Sequence, residues 1–323
     1  MPALRQSLVK LPMNAQLGAK VRLAATEHHD PYGLQADQLE HRDVAAAVDF
    51  ILDGRLFQPQ VAIILGSGLG GLAEDLTHTT SIPYVDIPNF QATHAIGHAG
   101  QLNLGYLGGL PVVMMQGRCH RYEGHSHACV CFPVQVMHAL GASVLIVTNA
   151  AGGLNSRYRT GDLMLVDQHI DCLWPRNHAS QDTGSRACAD MTPRAPGQMR
   201  NVAQLYDDEL MVRASRIALR HEIAMHRGTY VATLGPTYET RAEYRMFRWM
   251  GGDAVGMSTV PEVLTARQLG MRVLALSVIT NVACTDSLKG TSHAEVVECG
   301  KQVEPKLRHL VQQLLDEMAG PAD

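Results

Sequence analysis

Six continuous apolar runs, separated by segments of helical periodicity, constrain the fold of this chain more than any other feature. The runs are VAIIL from residue 61, VVMM from 112, VLIVT from 144, LMLVD from 163, TYVATL from 229 and VLALSVIT from 273. Continuous apolar runs are typical of strands buried on both faces. Helical patterns cover roughly 126–140, 207–226, 240–250, 260–269 and 292–318. This order predicts an α/β fold with a mostly parallel or mixed central β-sheet flanked by helices.

The organisation of the chain predicts one domain, because no repeat or linker divides it. Residues 46–320 are interpreted as this domain, and residues 1–45 as an N-terminal extension without a clear pattern of order. Residues 171–204 are rich in polar residues, proline and glycine and show no period. A long irregular stretch inside a domain is either functional or disordered.

The charge and the cysteines exclude several classes of protein. A net charge of −4 over 323 residues does not predict a surface for nucleic acid or an anionic membrane, although a local phosphate site is compatible with it. The N-terminus has no signal-peptide pattern, and no run reaches the roughly 18 apolar residues of a membrane span. Seven cysteines without paired spacing indicate free thiols in a reducing cytoplasm.

A glycine-rich loop, GSGLGG, follows the first apolar run directly and spans Gly66 to Gly71. Its glycines allow backbone N–H groups to approach an anion, and Ser67 adds a hydroxyl suited to a phosphate oxygen. The loop also satisfies the dinucleotide pattern G-x-G-x-x-G. That pattern requires a following helix and an acidic residue about 20 positions on, where only Asp86 is available. Phosphate binding, dinucleotide binding and a simple turn all remain open from the loop alone.

The segment QGRCHRYEGH follows the second apolar run and concentrates polar side chains. Arg118 offers a planar fork that can bind phosphate through two hydrogen bonds. His120 lies two residues on, on the same side if the strand continues, and Tyr122 and Glu123 extend the polar edge. A solvated basic loop is the alternative interpretation.

Two further motifs follow apolar runs. In VTNAAGGLN the strand is expected to end at Asn149, so that small residues including Ala150 leave the backbone open to a ligand. In GPTYET, Glu239 can accept hydrogen bonds from a base edge while Tyr238 packs beside it. Thr240 and Glu243 have the spacing of a capping box, so part of this motif has a purely structural interpretation.

The last motifs are GMSTVPE, from 256 to 262, and ITN, which ends at Asn281. Ser258 or Thr259 is expected to cap the helix that follows, and a helix start is equally an anion site. Asn281 is an amide at a strand end that can both donate and accept, and His293 opens the last helix. Ligands of open α/β sheets bind at the carboxyl ends of strands, which is where these motifs fall.

Taken together, the motifs resemble those of the trimeric-type purine nucleoside phosphorylases that act on 6-oxopurines. The resemblance rests on GSGLGGL, IPNF with GHAG, MMQGRCHRYEGH, VTNAAGGLN, GPTYET, DAVGMSTVPE, and ITN followed by SHAEV, in this order from about residue 60 to 310. It implies a homotrimer that cleaves inosine- or guanosine-type nucleosides with phosphate, releasing the base and a pentose 1-phosphate. Phosphate is then a co-substrate, and neither a metal nor an organic cofactor is expected.

The resemblance also implies a role for individual residues. Phosphate would be held by Ser67, His98, Arg118, His120, the Ala150 backbone and Ser258. The ribose would contact Tyr122, Met257 and His293, and the base would contact Tyr238, Glu239 and Asn281. Among these, Asn281, Glu239 and His120 are the expected catalytic residues. The pair Glu239 and Asn281 favours 6-oxopurines, because relatives that prefer 6-aminopurines tend to carry an acid in place of the asparagine.

The sequence departs from the family pattern in the segment expected to close the sugar pocket. Tyr206 and Asp207 are retained, but no phenylalanine occurs between Phe132 and Phe247. The aromatic residue that a neighbouring subunit would supply is therefore missing or replaced. A preference for xanthosine or 6-aminopurine nucleosides, a nucleoside-binding protein without catalysis, and an NAD-dependent oxidoreductase are the alternatives.

Overall fold

The computed structural model describes residues 41–95, 97–173, 204–282 and 292–320, and within them one mixed sheet of nine strands is flanked by helices. The described elements belong to one compact unit. The predicted single-domain α/β fold is confirmed. Residues 1–40 lie outside the described part, so the N-terminal extension stays a prediction, and its boundary at residue 45 falls inside the first described helix, His41–Leu52.

The strands are β1 (Val61–Leu65), β2 (Thr77–Pro83), β3 (Gln101–Leu107), β4 (Leu110–Gln116), β5 (Val144–Gly153), β6 (Leu163–Cys172), β7 (Met225–Thr233), β8 (Ala254–Gly256) and β9 (Arg272–Val282). The helices are α1 (His41–Leu52), α2 (His127–Ala139), α3 (Asp208–Arg220), α4 (Arg241–Trp249), α5 (Val260–Gln268) and α6 (His293–Ala319). Short 3-10 helices cover Gly70–Asp75, Tyr84–Asp86 and Arg121–Glu123.

Four parallel strands form the centre of the sheet, in the order β4, β1, β5 and β9. All five residues of β1 are buried, as the continuous apolar run predicts. Because these strands are parallel, the loop after β1 and the loop after β4 leave the sheet at the same edge. The sequence motifs GSGLGG and QGRCHRYEGH are thereby brought side by side.

Strand β5 connects the two parts of the sheet. It pairs with β9 along its whole length and, near its end, with β8 in the antiparallel direction. Strands β8, β7 and β6 run parallel to one another, and β6 returns to pair antiparallel with β9. The five strands therefore close into a ring. Because β8 runs antiparallel to β5, the chain that follows β8 runs back along β5, and its Thr259 reaches Asn149 in the middle of that strand.

Several sequence-based bounds need correction. Strand β5 does not end at Asn149 but continues through Gly153, because β8 and β9 pair with its glycine-rich end. The helix predicted over 207–226 ends at Arg220, and Met225 begins β7. Strands β2, β3 and β8 were not predicted: the exposed pattern of β2 gives no apolar run, and β8 has only three residues.

Four of the described helices, α2, α3, α4 and α6, begin at a residue whose side chain accepts a backbone N–H of the first turn. The capping box predicted for α4 is present, with Thr240 and Glu243 exchanging hydrogen bonds, and Ser292 and Glu295 do the same at α6. None of the described helices is long and apolar enough to cross a membrane. The irregular segment predicted over 171–204 lies mostly in residues 174–203, outside the described part.

Candidate active site

The loop after β1 is pressed against β5 more closely than a side chain would allow. A Cβ on Gly66 would stand 2.8 Å from the Cα of Asn149. Gly68 has a φ of +74°, and a Cβ there would meet the Val297 carbonyl oxygen of α6 at 2.8 Å. The glycines therefore place the Ser67 segment between β5 and α6. The chain continues into a 3-10 helix and Asp86 lies in another, so the helix that a dinucleotide site requires is absent here.

His98 joins this loop to the chain after β4. Its Nε2 lies 3.0 Å from the Ser67 Oγ, and its Nδ1 lies 2.9 Å from the Arg118 carbonyl oxygen and 3.1 Å from the Arg118 backbone nitrogen. Burial, followed by the positive fields of His120 and Arg118, lowers the pKa of His98 to about 3. A neutral ring has one N–H, so one of its nitrogens accepts. If Nδ1 accepts from the Arg118 N–H, Nε2 donates to Ser67 and leaves the serine hydroxyl proton for a ligand.

Arg118 is almost completely buried, with 2% of its surface exposed. Its Nη2 donates to the carbonyl oxygen of Thr148 in β5. Its Nη1 lies 3.3 Å from Glu262 Oε1, and Glu262 is equally buried. A buried charge without a partner is strongly destabilising, so the carboxylate of Glu262 is the counter-charge that allows the guanidinium to lie inside the protein.

Thr259 connects Arg118 with two other motifs. Its Oγ1 accepts from Asn149 Nδ2 at 2.9 Å, lies 3.4 Å from Arg118 Nη1, and lies 3.3 Å from Ser258 Oγ. Its backbone has φ 77° and ψ −48°, and the Val260 N–H donates to the carbonyl oxygen of Ser258 at 2.9 Å. This is a γ-turn, a strained conformation for a β-branched residue.

The helix-cap interpretation of Ser258 and Thr259 is wrong in its chemistry. Thr259 does occupy the cap position of α5, but its side chain makes no capping hydrogen bond. The hydroxyl is engaged by Asn149 and Arg118 instead. The strained turn places Ser258 Oγ 3.3 Å from Thr259 Oγ1, and thereby beside the guanidinium of Arg118. We call Ser67, His98, Arg118, Ser258, Thr259 and Glu262 the arginine cluster.

His120 and Tyr122 extend from the arginine cluster as a stack of rings. The ring centroids are 5.3 Å apart for His98 and His120, and 4.7 Å apart for His120 and Tyr122. Glu123 Oε1 lies 3.0 Å from His120 Nδ1 and 2.7 Å from its backbone nitrogen. Since Nδ1 is engaged by a carboxylate, it carries a proton and Nε2 faces away from Glu123.

The carboxylate of Glu123 is fixed by several donors. Burial alone would raise its pKa, but hydrogen bonds from the His120 ring and from the backbone N–H groups of His94 and His120 outweigh burial and hold the pKa at about 2. Burial, followed by the fields of Glu123 and Tyr238, raises the pKa of Tyr122 to about 12. Glu123 therefore remains ionised and Tyr122 remains protonated at neutral pH.

A second group of side chains, the Glu239 cluster, lies where the chain leaves β7. It consists of Thr233, Tyr238, Glu239 and Tyr244. Thr233 Oγ1 donates to Glu239 Oε1 at 2.9 Å, and the nearby Tyr244 hydroxyl, like that of Thr233, counteracts the effect of burial on the pKa of this carboxyl. Tyr238 is 38% exposed. Burial is the main cause that raises the pKa of Glu239 above its usual value.

The remaining predicted site residues lie on β5, at the end of β9, after β8 and at the start of α6. Ala150 lies within β5, and Asn281 lies opposite Gly152 near the end of β9. The Met257 side chain is packed so closely on Gly235 that a Cβ there would stand 2.3 Å from its sulfur. His293 is the first residue of α6, and the field of Glu295 in the same turn reaches Tyr238.

Sequence reasoning missed three residues that position the site, namely Thr148, Thr259 in its actual role, and Glu262. Thr148 accepts from the Gly66 N–H through Oγ1 and from Arg118 through its carbonyl oxygen. Glu262 closes the motif GMSTVPE, and the motif alone gives it no role in the site. A buried acid near a predicted anion site is a signal, but its pairing with Arg118, 144 residues away, comes only from the fold. Within the described residues, no group of three His, Cys, Asp or Glu could hold a metal ion.

Comparison with known proteins gives one consistent result. A family model described as the phosphorylase superfamily matches residues 60–316. Purine nucleoside phosphorylase 1 of Geobacillus stearothermophilus is 43% identical over 277 residues, which cover 85% of this chain and 97% of the relative. A schistosome purine nucleoside phosphorylase solved with hypoxanthine has a TM-score of 0.75 at 34% identity, covering 87% of this chain and 98% of that one. The enzyme of Schistosoma mansoni solved with adenosine has a TM-score of 0.74 at 36% identity, over the same shares of the two chains.

Proposed function

The chain belongs to the phosphorylase superfamily as a purine nucleoside phosphorylase, and from this premise we propose that it prefers 6-oxopurine nucleosides and uses the two clusters as the two ends of its active site. Its reaction is the phosphorolysis of a purine nucleoside to the free base and a pentose 1-phosphate. The observation that carries the assignment of residues is the chain of contacts that links Ser67 to His98, His98 to Arg118 and, through Thr259, Arg118 to Ser258, four residues from separate segments of the chain.

The arginine cluster is the proposed phosphate site. Arg118 brings a permanent positive charge, and Ser67 and Ser258 bring hydroxyls that can donate to phosphate oxygens. His98, His120 and the backbone of Ala150 complete the set. Because the protein already holds Arg118 through Thr148, Thr259 and Glu262, its guanidinium needs little reorganisation when phosphate binds.

Cleavage of the glycosidic bond places positive charge on the ribose and negative charge on the purine. A phosphate held beside the sugar stabilises the developing cation and then captures C1′. His120, whose Nδ1–H is held by Glu123, presents Nε2 on the side away from that carboxylate. Nε2 donates to a phosphate oxygen when the ring carries both protons, and this is the proposed catalytic contact with the phosphate. Most of the acceleration then comes from positioning and preorganised dipoles.

The Glu239 cluster is the proposed base site. Glu239 would accept from the N1–H of a 6-oxopurine, Tyr238 would pack on the ring, and Asn281 would donate to N7 or O6 as charge develops there. The ribose would lie between the clusters, in contact with Tyr122, Met257 and His293. Met257 supports this placement, because it packs on Gly235 while its neighbour Ser258 belongs to the arginine cluster.

Three further statements belong to the proposal. Inorganic phosphate is the co-substrate, and the reaction needs neither a metal nor an organic cofactor. The assembly is a homotrimer, which light scattering would show as three times the chain mass of 35.1 kDa. The location is cytoplasmic, in keeping with five described cysteines that form no disulfide.

An assay of purine release with and without phosphate tests the function. We expect phosphate-dependent release from inosine and guanosine, and weaker release from adenosine, methylthioadenosine and xanthosine. Release that is independent of phosphate would indicate hydrolysis and contradict the proposal. A 6-aminopurine preference is the second candidate, because a structural neighbour was solved with adenosine; higher kcat/KM for adenosine than for inosine would favour it.

A further inference from the structure

The hydroxyl of Thr233 has two acceptors and one proton. It lies 2.9 Å from Glu239 Oε1 and 3.3 Å from the carbonyl oxygen of Gly256. The shorter contact is to the carboxylate, where a hydrogen bond is also stronger because the acceptor can be charged. Thr233 is the last residue of β7, so the sheet fixes its position. Glu239 thus has one donor that cannot move away.

Tyr244 supplies a second hydroxyl from a different element. Its half-buried ring packs against the small apolar cluster that includes Leu154 and Val231, and its hydroxyl lies near the Glu239 carboxyl, whose pKa it acts to lower. Helix α4, which carries Tyr244, is held at its start by the capping box of Thr240 and Glu243. The carboxylate of Glu239 therefore accepts a hydrogen bond from a hydroxyl on the sheet and has a second hydroxyl beside it on the helix.

We propose that Thr233 and Tyr244 are positioning residues that make the site selective for 6-oxopurines, by holding Glu239 as an oriented, ionised acceptor. This inference rests on the proposed role of Glu239 in base recognition. It extends that role to two residues that do not touch the base themselves. The proposal concerns the edge of the purine ring that Glu239 would contact, and it assigns Thr233 and Tyr244 no role in the phosphate site.

The hydrogen-bonding edges of the two kinds of purine explain why an oriented, ionised Glu239 carboxylate selects between them. A 6-oxopurine carries a hydrogen on N1 and pairs with a carboxylate. A 6-aminopurine presents a lone pair at N1, so it needs a protonated carboxyl that turns its O–H toward the ring. Hydroxyl donors favour the ionised form of Glu239 and restrict the rotation of its carboxylate. Both effects oppose the binding of a 6-aminopurine.

The surroundings of Glu239 make these donors necessary. Burial raises the pKa of Glu239, and the nearby negative charge of Glu243 acts in the same direction. Tyr238 and Tyr244 are the other titratable groups beside it, and burial raises the pKa of both, so both stay neutral. Without the two hydroxyls, the carboxyl would move further toward its protonated form.

The experiment compares Thr233→Val, Tyr244→Phe and the double variant with the unaltered enzyme. Each change removes a hydroxyl and keeps the shape of the side chain. We expect kcat/KM for inosine to fall about tenfold for Thr233→Val, the scale of a lost hydrogen bond to a charged group, and by less for Tyr244→Phe, with the KM for phosphate unchanged in both. The ratio of adenosine to inosine activity should rise, and the acid limb of the inosine pH profile should move to higher pH.

Controls separate a positioning role from a structural one. Thr233→Ser keeps the hydroxyl and should retain the selectivity. Thr77→Val with Tyr106→Phe makes the same chemical changes at the far edge of the sheet and should leave the ratio unchanged. A double variant that melts like the unaltered enzyme, with an unchanged ratio and acid limb, would overturn the proposal.

Calorimetry with hypoxanthine and adenine gives a readout that does not need turnover. If the unaltered protein binds hypoxanthine in the calorimeter but releases no base from nucleosides in the phosphate-dependent assay, the proposed function fails. The selectivity of binding still tests the hydroxyl pair, which predicts relatively tighter adenine binding in the double variant. Equal base preferences in the unaltered and double-variant proteins would refute it.

Discussion

Arg118 and Thr259, in the arginine cluster, are 2% and 0% exposed, whereas Tyr238, in the Glu239 cluster, is 38% exposed. The arginine cluster depends on β5, on the loops after β1 and β4, and on the start of α5. The Glu239 cluster depends on the end of β7 and on α4. The first site is therefore fixed by the sheet core, and the second by fewer contacts near the surface.

This difference suggests how the enzyme divides its tasks. In the proposed assignment, phosphate is small and invariant, so its site can be preorganised inside the protein at the cost of burying a charged pair. The base must enter and leave, which fits a proposed site nearer the surface, where selectivity would depend on the protonation and direction of one carboxylate. Changes in the arginine cluster should then affect turnover with every nucleoside, while changes in the Glu239 cluster should affect the choice among nucleosides.

The largest effect is expected for Arg118→Ala. Loss of the guanidinium removes the charge proposed to bind phosphate, and kcat/KM should fall by roughly 2.7–4 kcal/mol of transition-state stabilisation, equally for inosine and guanosine. Arg118→Lys should not restore it, because an ammonium cannot reproduce the fork held by Thr148 and Glu262. Steady-state kinetics with Arg213→Ala, on the surface of α3, as the control would measure this. A loss confined to one nucleoside would contradict the division between the clusters.

Glu262→Gln should destabilise the resting protein by about 3 kcal/mol, because Arg118 loses its buried counter-charge. Phosphate can supply that charge when it binds. The increase in melting temperature on adding phosphate should therefore be larger for the variant than for the unaltered enzyme. Equal increases would show that Glu262 does not share Arg118 with the ligand.

Glu239→Gln tests the other cluster. An amide has one oxygen acceptor and no charge, so kcat/KM for inosine should fall by about 2 kcal/mol, the scale of a hydrogen bond to a charged group. The KM for phosphate should stay the same, which distinguishes this variant from Arg118→Ala. A matched rise in the KM for phosphate would mean that the two clusters are coupled.

The smallest effect is expected for Glu123→Gln and is a matter of pH. The pKa of Glu123 is lowered to about 2 in the folded protein, from an ordinary value of 4.5. Its contribution to stability is therefore complete above pH 4.5 and is lost as the pH falls toward 2. The unaltered enzyme should be more stable than the variant by ~1.5 kcal/mol at pH 7, and the difference should vanish near pH 2. Denaturant unfolding at several pH values would check this, and a difference that persists at low pH would contradict the charge-based explanation.

Much of the fold follows from the local pattern. The run VAIIL forms β1 with the bounds expected for it, and the helices α4, α5 and α6 begin within one residue of their predicted starts. These elements carry strong periodicity or capping signals, which are local in sequence. Strand β8 carries neither, because three residues pair only where β5 and β7 provide neighbours.

The candidate site was predictable in composition but not in arrangement. Ser67, Arg118 and Ser258 could be named from motifs beside apolar runs. That β5 runs past Asn149 to Gly153 could not be, because its glycines look like a turn until β8 and β9 pair with them. The closed ring of β5, β8, β7, β6 and β9 brings Thr259 to Asn149, 110 residues apart in the chain.

The sequence by itself determined the kind of fold, the buried strands and the chemical groups that a phosphate and a purine require. It did so because apolar periodicity, caps and polar motifs act over a few residues. Only the tertiary structure decided which carboxylate is the counter-charge of Arg118, which hydroxyl donates to Glu239, and which strands pair with one another. These contacts join residues far apart in the chain, and their formation depends on strand direction and on the closure of the sheet, which local sequence does not encode.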